Sequence, residues 1–97
     1  MKKPTVVFVT NRYSSVLDLL YSDSDIVLAG VIYDPIEKKS ASEMQLFISQ
    51  HNIPYYSSFD MFGNNYTEKP DFLVIYSFLK ILKEQEIRIP NIAAINL

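Results

Sequence analysis

Four apolar runs rich in β-branched residues, at positions 5–10, 26–33, 72–76 and 92–97, show no clean alternation of polar and apolar side chains. A strand with one wet face alternates every second residue, whereas a strand covered on both faces reads as a continuous apolar run. The chain is therefore predicted to fold around a parallel sheet buried on both sides. With 97 residues it has room for a single small domain, and its 48% hydrophobic content, including seven Tyr and six Phe, supplies the core.

The segments between the runs are predicted as helices. Ser14 or Ser15 can cap a short helix carrying Val16, Leu17, Leu19 and Leu20. Ser40 with Glu43 forms a capping-box pattern before Met44, Phe47 and Ile48, and Asn52 is a suitable terminator for that second helix. A short strand is expected at 53–56. A loop is expected at 57–69, with one helical turn at 59–62 closed by Gly63 and a polar stretch over 64–69. A last short helix is predicted at 80–86, ahead of Pro90. This order specifies an α/β fold, an open, doubly wound, mostly parallel five-stranded sheet of Rossmann-like form, as one domain over residues 1–97.

Charge and composition exclude several functions. Nine Lys and Arg against eleven Asp and Glu leave a net charge of −2 with no basic stripe, so no nucleic-acid partner is expected. No run is long enough to span a membrane. The absence of cysteine removes disulfides and thiolate metal ligands, and no metal-ligand cluster is visible. A cytoplasmic location is the expectation.

In open α/β sheets ligands sit beyond the carboxyl ends of the strands, where strand order reverses. Thr10, Asn11 and Arg12, then residues 77–82, then Asn96 would meet there if the first, fourth and fifth strands are neighbours. The first turn has no glycine, so it cannot cradle a pyrophosphate on its backbone. Asn11 and Ser14 are candidate substrate contacts at the helix start, and a plain turn with its N-cap is the alternative reading. His51, the single histidine, reads as a packing or helix-end residue, Asp34 before Pro35 as a turn that could also meet a ribose, and Asp71 as a residue that starts a strand.

Phe78, Leu79, Lys80, Ile81 and Leu82, followed by a short helix and then by Ile89, Pro90, Asn91, Ile92, Ala93, Ala94, Ile95, Asn96 and Leu97, resemble the amino-terminal half of the folate-dependent formyltransferases. That superfamily includes glycinamide ribonucleotide transformylase, methionyl-tRNA formyltransferase and the amino-sugar N-formyltransferases. Lys69, Pro70 and Asp71 before an apolar strand are similar to the family's approach to the site. The resemblance implies that Leu79, Lys80, Ile81 and Leu82 hold the pteridine of 10-formyltetrahydrofolate. It also implies that Asn96 is the asparagine of the family's Asn-x-His pair, an amide donor to the oxyanion that forms when an amine attacks the formyl carbon. The family's histidine and aspartate have no counterpart among these residues. The expectation is thus an incomplete domain, inactive alone, whose parent formylates a small-molecule amine such as an amino-sugar nucleotide.

The alternative is a non-catalytic α/β binding or interaction domain derived from the same fold. Residues 92–95, placed at a sheet edge, would lack the charge or proline that usually guards one. Self-association there, or docking of a missing carboxyl-terminal half, is expected.

Overall fold

The computed structural model describes residues 3–35, 38–65 and 69–97. Among them five strands alternate with four helices: β1 (Thr5–Thr10), α1 (Ser15–Ser22), β2 (Val27–Tyr33), α2 (Lys38–His51), β3 (Tyr55–Tyr56), α3 (Phe59–Asn65), β4 (Phe72–Ile75), α4 (Glu84–Ile87) and β5 (Ala93–Asn96). The strands form one sheet in the order β3-β2-β1-β4-β5, and every neighbouring pair is parallel. The α/β sheet expected from the apolar runs is present, parallel throughout rather than mostly so.

Burial explains why the runs do not alternate. Val6, Phe8, Val31, Tyr33 and Val74 point to one face, where Leu17 of α1 and Met44 and Phe47 of α2 cover them. Val7, Val9, Ile32, Leu73 and Ile75 point to the other, beneath Phe62 of α3 and against Phe78, Leu82 and Ile89. Successive residues of the central strands thus enter two separate apolar layers. Each large side chain so buried contributes about 1.5–3 kcal/mol.

Local chemistry sets several boundaries. Asn52 takes a left-handed conformation, φ 52°, directly after α2, the role expected of it as terminator. Pro54 has no N–H for the sheet, so regular pairing of β3 starts one residue later, although the Pro54 carbonyl accepts the Val31 N–H. Gly30 is where Tyr56 comes close: a Cβ there would meet the Tyr56 ring at 3.3 Å. At the sheet's other end Asp71 starts β4, accepting the Thr5 N–H at 2.9 Å while its own N–H donates to the Thr5 hydroxyl at 3.0 Å.

Other expectations are corrected. The predicted helix at 80–86 is confined to Glu84–Ile87, because residues 79 and 80 are tied to the turns after β1 and β2 instead. Gly63 does not close a single turn; α3 continues to Asn65, and burial of Phe62 against the Tyr56 ring outweighs the weak helix propensity of glycine. The second helix begins at Lys38, which puts Ser40 inside its first turn rather than before it. The Ser40 side chain and residues 66–68 of the expected polar loop lie outside what is described. Ser14 is the N-cap of α1 by position, yet its hydroxyl makes no capping bond.

Candidate functional site

The sheet reverses direction of travel between β1 and β4, and the chain segments leaving these two strands lie side by side. The turn after β1 is closed by a side chain instead of a glycine. The Thr10 hydroxyl donates to the Arg12 carbonyl at 2.8 Å and accepts the Arg12 N–H at 3.2 Å. Asn11 follows, nearly fully buried, and bridges three strand ends. Its side-chain amide donates to the Asp34 carbonyl at 2.8 Å, its Oδ1 accepts the Leu79 N–H at 2.5 Å, and its backbone N–H donates to Ser77 at 3.0 Å.

Residues 77–83 therefore form a strap pinned at several points. Ser77 begins it in a left-handed conformation, φ 54°, with its hydroxyl accepting from Arg12 Nε at 2.8 Å. Lys80 Nζ reaches Asp34 at 2.7 Å across the end of β1, and that hydrogen bond, reinforced by the charge, raises the Lys80 pKa. At its far end the Glu86 side chain accepts the Lys83 N–H at 2.7 Å, which starts α4.

Two clefts flank the strap. One, about 400 Å³, is walled by Leu79, Lys80, Ile81 and Leu82, with Ile75 and Ala94 at its floor and Asn96 at its rim. Asn96 stands in register with Ile75, where β5 runs out at the carboxyl end of the sheet. Leu79 and Ile81 are 79% and 95% exposed, an unusual state for large apolar side chains held in a fixed segment. The second cleft, about 220 Å³, lies toward the ends of β2 and β3, shares Phe78, Lys80 and Ile81 with the first, and has a mixed polar and apolar lining.

The structure thus gathers five of the residues singled out in the sequence, Leu79, Lys80, Ile81, Leu82 and Asn96, around one cavity. Asn11 and Ser14 do not line it. Asn11 stands behind the strap as a brace, and the Ser14 hydroxyl is buried without a hydrogen-bond partner among the described residues. Asp34 was legible as a turn residue past the second strand that could also meet a ribose, but its pairing with Lys80 was not. Ser77 was placed near the site by its position after the fourth strand, but its left-handed conformation gave no sequence signal, since serine seldom adopts positive φ.

His51 lies elsewhere, stacked on Tyr21 at 4.0 Å and edge-on to Phe47 at 4.7 Å, in the packing role expected of it. On that same helical side the Tyr13 hydroxyl donates to Asp18, and this bond, helped by burial and the nearby carboxylates, pushes the Tyr13 pKa up to about 12. Ionisation would set a phenolate against a carboxylate, so the folded chain retains the proton longer than the unfolded one. The bond's contribution is full below pH 10, the ordinary value, and is lost as pH rises toward 12. Ultraviolet titration is expected to show a tyrosine ionising near pH 12 that Asp18→Asn returns toward 10.

Among the described residues no group of three His, Asp or Glu side chains is placed to hold a metal ion, and no helix is long and apolar enough to cross a membrane. No family model matches the chain, and no curated protein matches it.

Proposed function

We propose that this chain forms the amino-terminal, folate-binding part of a cytoplasmic 10-formyltetrahydrofolate-dependent N-formyltransferase, of the Rossmann-like type that family uses. One observation carries the reading: Leu79, Lys80, Ile81 and Leu82 wall the same cleft that Asn96 borders. The donor set fits the group. Exposed Leu79 and Ile81 offer apolar surface for a flat heterocycle, and the backbone of the strap, which lies outside any helix or strand, offers hydrogen bonds to its edge.

When bound, 10-formyltetrahydrofolate supplies an activated formyl group. Asn96 would donate its side-chain N–H to the formyl oxygen as negative charge develops there during attack by an amine. A donor of this kind accounts for roughly a hundred- to a thousand-fold in rate where it has been removed. Proton handling needs a second group, and the sole histidine is occupied with Tyr21 and Phe47 on the far side of the sheet. These residues are therefore expected to bind the folate without transferring its formyl group. The acceptor proposed is an amino-sugar nucleotide, because the turn after β1 has no glycine to cradle a ribonucleotide phosphate and the acidic chain has no basic face for tRNA.

The test is a titration with 5-formyltetrahydrofolate, a stable isomer, followed by amide chemical shifts. Saturable shifts over residues 78–82 and at Asn96 are expected, weakened about tenfold by Ile81→Asp through lost apolar contact. Absence of saturation, or shifts centred elsewhere, overturns the assignment. Incubation with 10-formyltetrahydrofolate and a panel of amino-sugar nucleotides is expected to give no turnover, and clear turnover refutes the division of labour proposed for Asn96.

The β5 edge is the proposed association surface of the same domain. Ile92, Ile95 and Leu97 are exposed along it, and β5 itself contains neither charge nor proline to discourage pairing with another strand. Sedimentation is expected to show concentration-dependent association that Ile95→Lys suppresses; a strictly monomeric species at millimolar concentration would refute it.

A further inference from the structure

The second, mixed cleft has no part in the reading above. It lies past the carboxyl ends of β2 and β3, the end of an open parallel sheet at which ligands collect. Phe59 and Phe78 meet there edge to face, ring centres 6.3 Å apart, and give the cleft an aromatic wall. Asp34, Asp60, Glu86, Lys80 and Lys83 also line the cleft, with the Lys80 ammonium paired to the Asp34 carboxylate at 2.7 Å. Ser57 and Ser58 add two hydroxyls: Ser57 Oγ donates to Met61 Sδ at 2.8 Å and so offers an acceptor, while Ser58 Oγ accepts the Met61 N–H, which leaves its proton to donate outward.

This combination selects by charge. Three carboxylates against two ammonium groups disfavour a phosphate dianion. A polyamine is disfavoured as well, because Asp34 already holds Lys80 at 2.7 Å and Lys83 stands in the same cleft. What suits paired donors and acceptors beside an aromatic face is an uncharged ring carrying several hydroxyls. Its C–H face packs on the ring while each hydroxyl donates to a carboxylate and accepts from an ammonium group or a serine. We propose that the cleft bordered by Asp34, Phe59, Phe78 and Lys80 is a second binding site, for a neutral furanose or pyranose unit. A hydroxyl of that ring bridges Asp34 and Lys80, donating to the first and accepting from the second.

Phe78, Lys80 and Ile81 border both clefts, so an occupant of the mixed one also acts on the strap that walls the apolar one. The inference stands whether or not the apolar cleft takes a folate. The test is an amide-shift titration of the full chain with methyl β-D-ribofuranoside, methyl α-D-glucopyranoside, inorganic phosphate and spermidine in turn. At least one glycoside is expected to give saturable shifts at residues 57–60 and 79–80, with a Kd of about 1–30 mM, typical of a small neutral ligand with few contacts. Asp34→Asn, which keeps the shape and removes the charged acceptor, is expected to weaken it at least about tenfold. If that variant does not fold, Ser57→Ala, at an exposed position, is expected to weaken it about threefold. No saturation by either glycoside up to 100-fold the upper end of that range or to solubility, tighter binding of phosphate or spermidine, or an unchanged affinity in the folded variant overturns the proposal.

Discussion

Replacing Asn11 with alanine is expected to destabilise the domain by about 2–4 kcal/mol, because it strands two partners at once in a buried position. The Asp34 carbonyl loses its donor and the Leu79 N–H loses its acceptor. Neither can be replaced locally: Asn11 is 3% exposed, which leaves little room for water to take over. The loss also has a spatial signature. Asn11 is the only side chain that ties the strap's backbone to β1 among the bonds described, so residues 77–80 should lose their fixed conformation before the sheet itself unfolds. Urea denaturation measures the first effect, and amide shifts with hydrogen exchange over 77–80 measure the second. Asn11→Asp separates the two bonds, since it keeps an acceptor for Leu79 and removes the donor to Asp34. A loss below about 0.5 kcal/mol in the alanine variant, the range of an ordinary surface change, would remove Asn11 from this role.

Phe8→Ala is expected to have the largest effect of any single substitution, about 3–5 kcal/mol. Phe8 lies in the middle of β1, has no exposed surface, and stacks on Tyr76 at 6.5 Å while facing the layer covered by α1 and α2. β1 is the central strand, paired on one side with β2 and on the other with β4, so the surrounding side chains cannot collapse into the space left behind. For a domain of this size the loss corresponds to roughly 15–30 °C in Tm. It approaches the whole stability of a marginal domain. Val27→Ala, at the exposed beginning of β2, is the comparison, with an expected loss under about 1 kcal/mol. Equal losses at the two positions would mean that the sheet is not buried on both faces.

These contrasts follow how the information is distributed along the chain. The run at 5–10 reads as a strand and is one, residue for residue, because double-sided burial selects apolar and β-branched side chains at every position. Asn52 was legible for a comparable reason: a left-handed residue after a helix favours glycine or asparagine wherever it occurs. The strap was misread. Residues 80–83 have the composition of a helix start, yet the Leu79 N–H is taken by a side chain 68 positions away and Lys80 by a carboxylate on a different strand end. The end of α3 was misread in the same way, since the burial of Phe62 beneath the sheet decides how far that helix runs past Gly63.

The candidate site divides along the same line. Leu79, Lys80, Ile81, Leu82 and Asn96 were identifiable from local pattern and order, but that they border one cavity depends on β5 lying next to β4. Of the mixed cleft only Asp34 and strap residues such as Lys80 were legible, and the cleft itself was not, because its residues come from the ends of β2 and β3, the start of α3, the strap and α4. By itself, the amino-acid sequence determined where the strands run, that both faces of the central ones are covered, and that no glycine shapes the first turn. Only the tertiary structure decided the strand order, the brace formed by Asn11, and the pairing of Lys80 with Asp34. The physical reason is that burial preference and backbone propensity act residue by residue, whereas a tether or a cleft exists only once distant segments have been brought to the same end of the sheet.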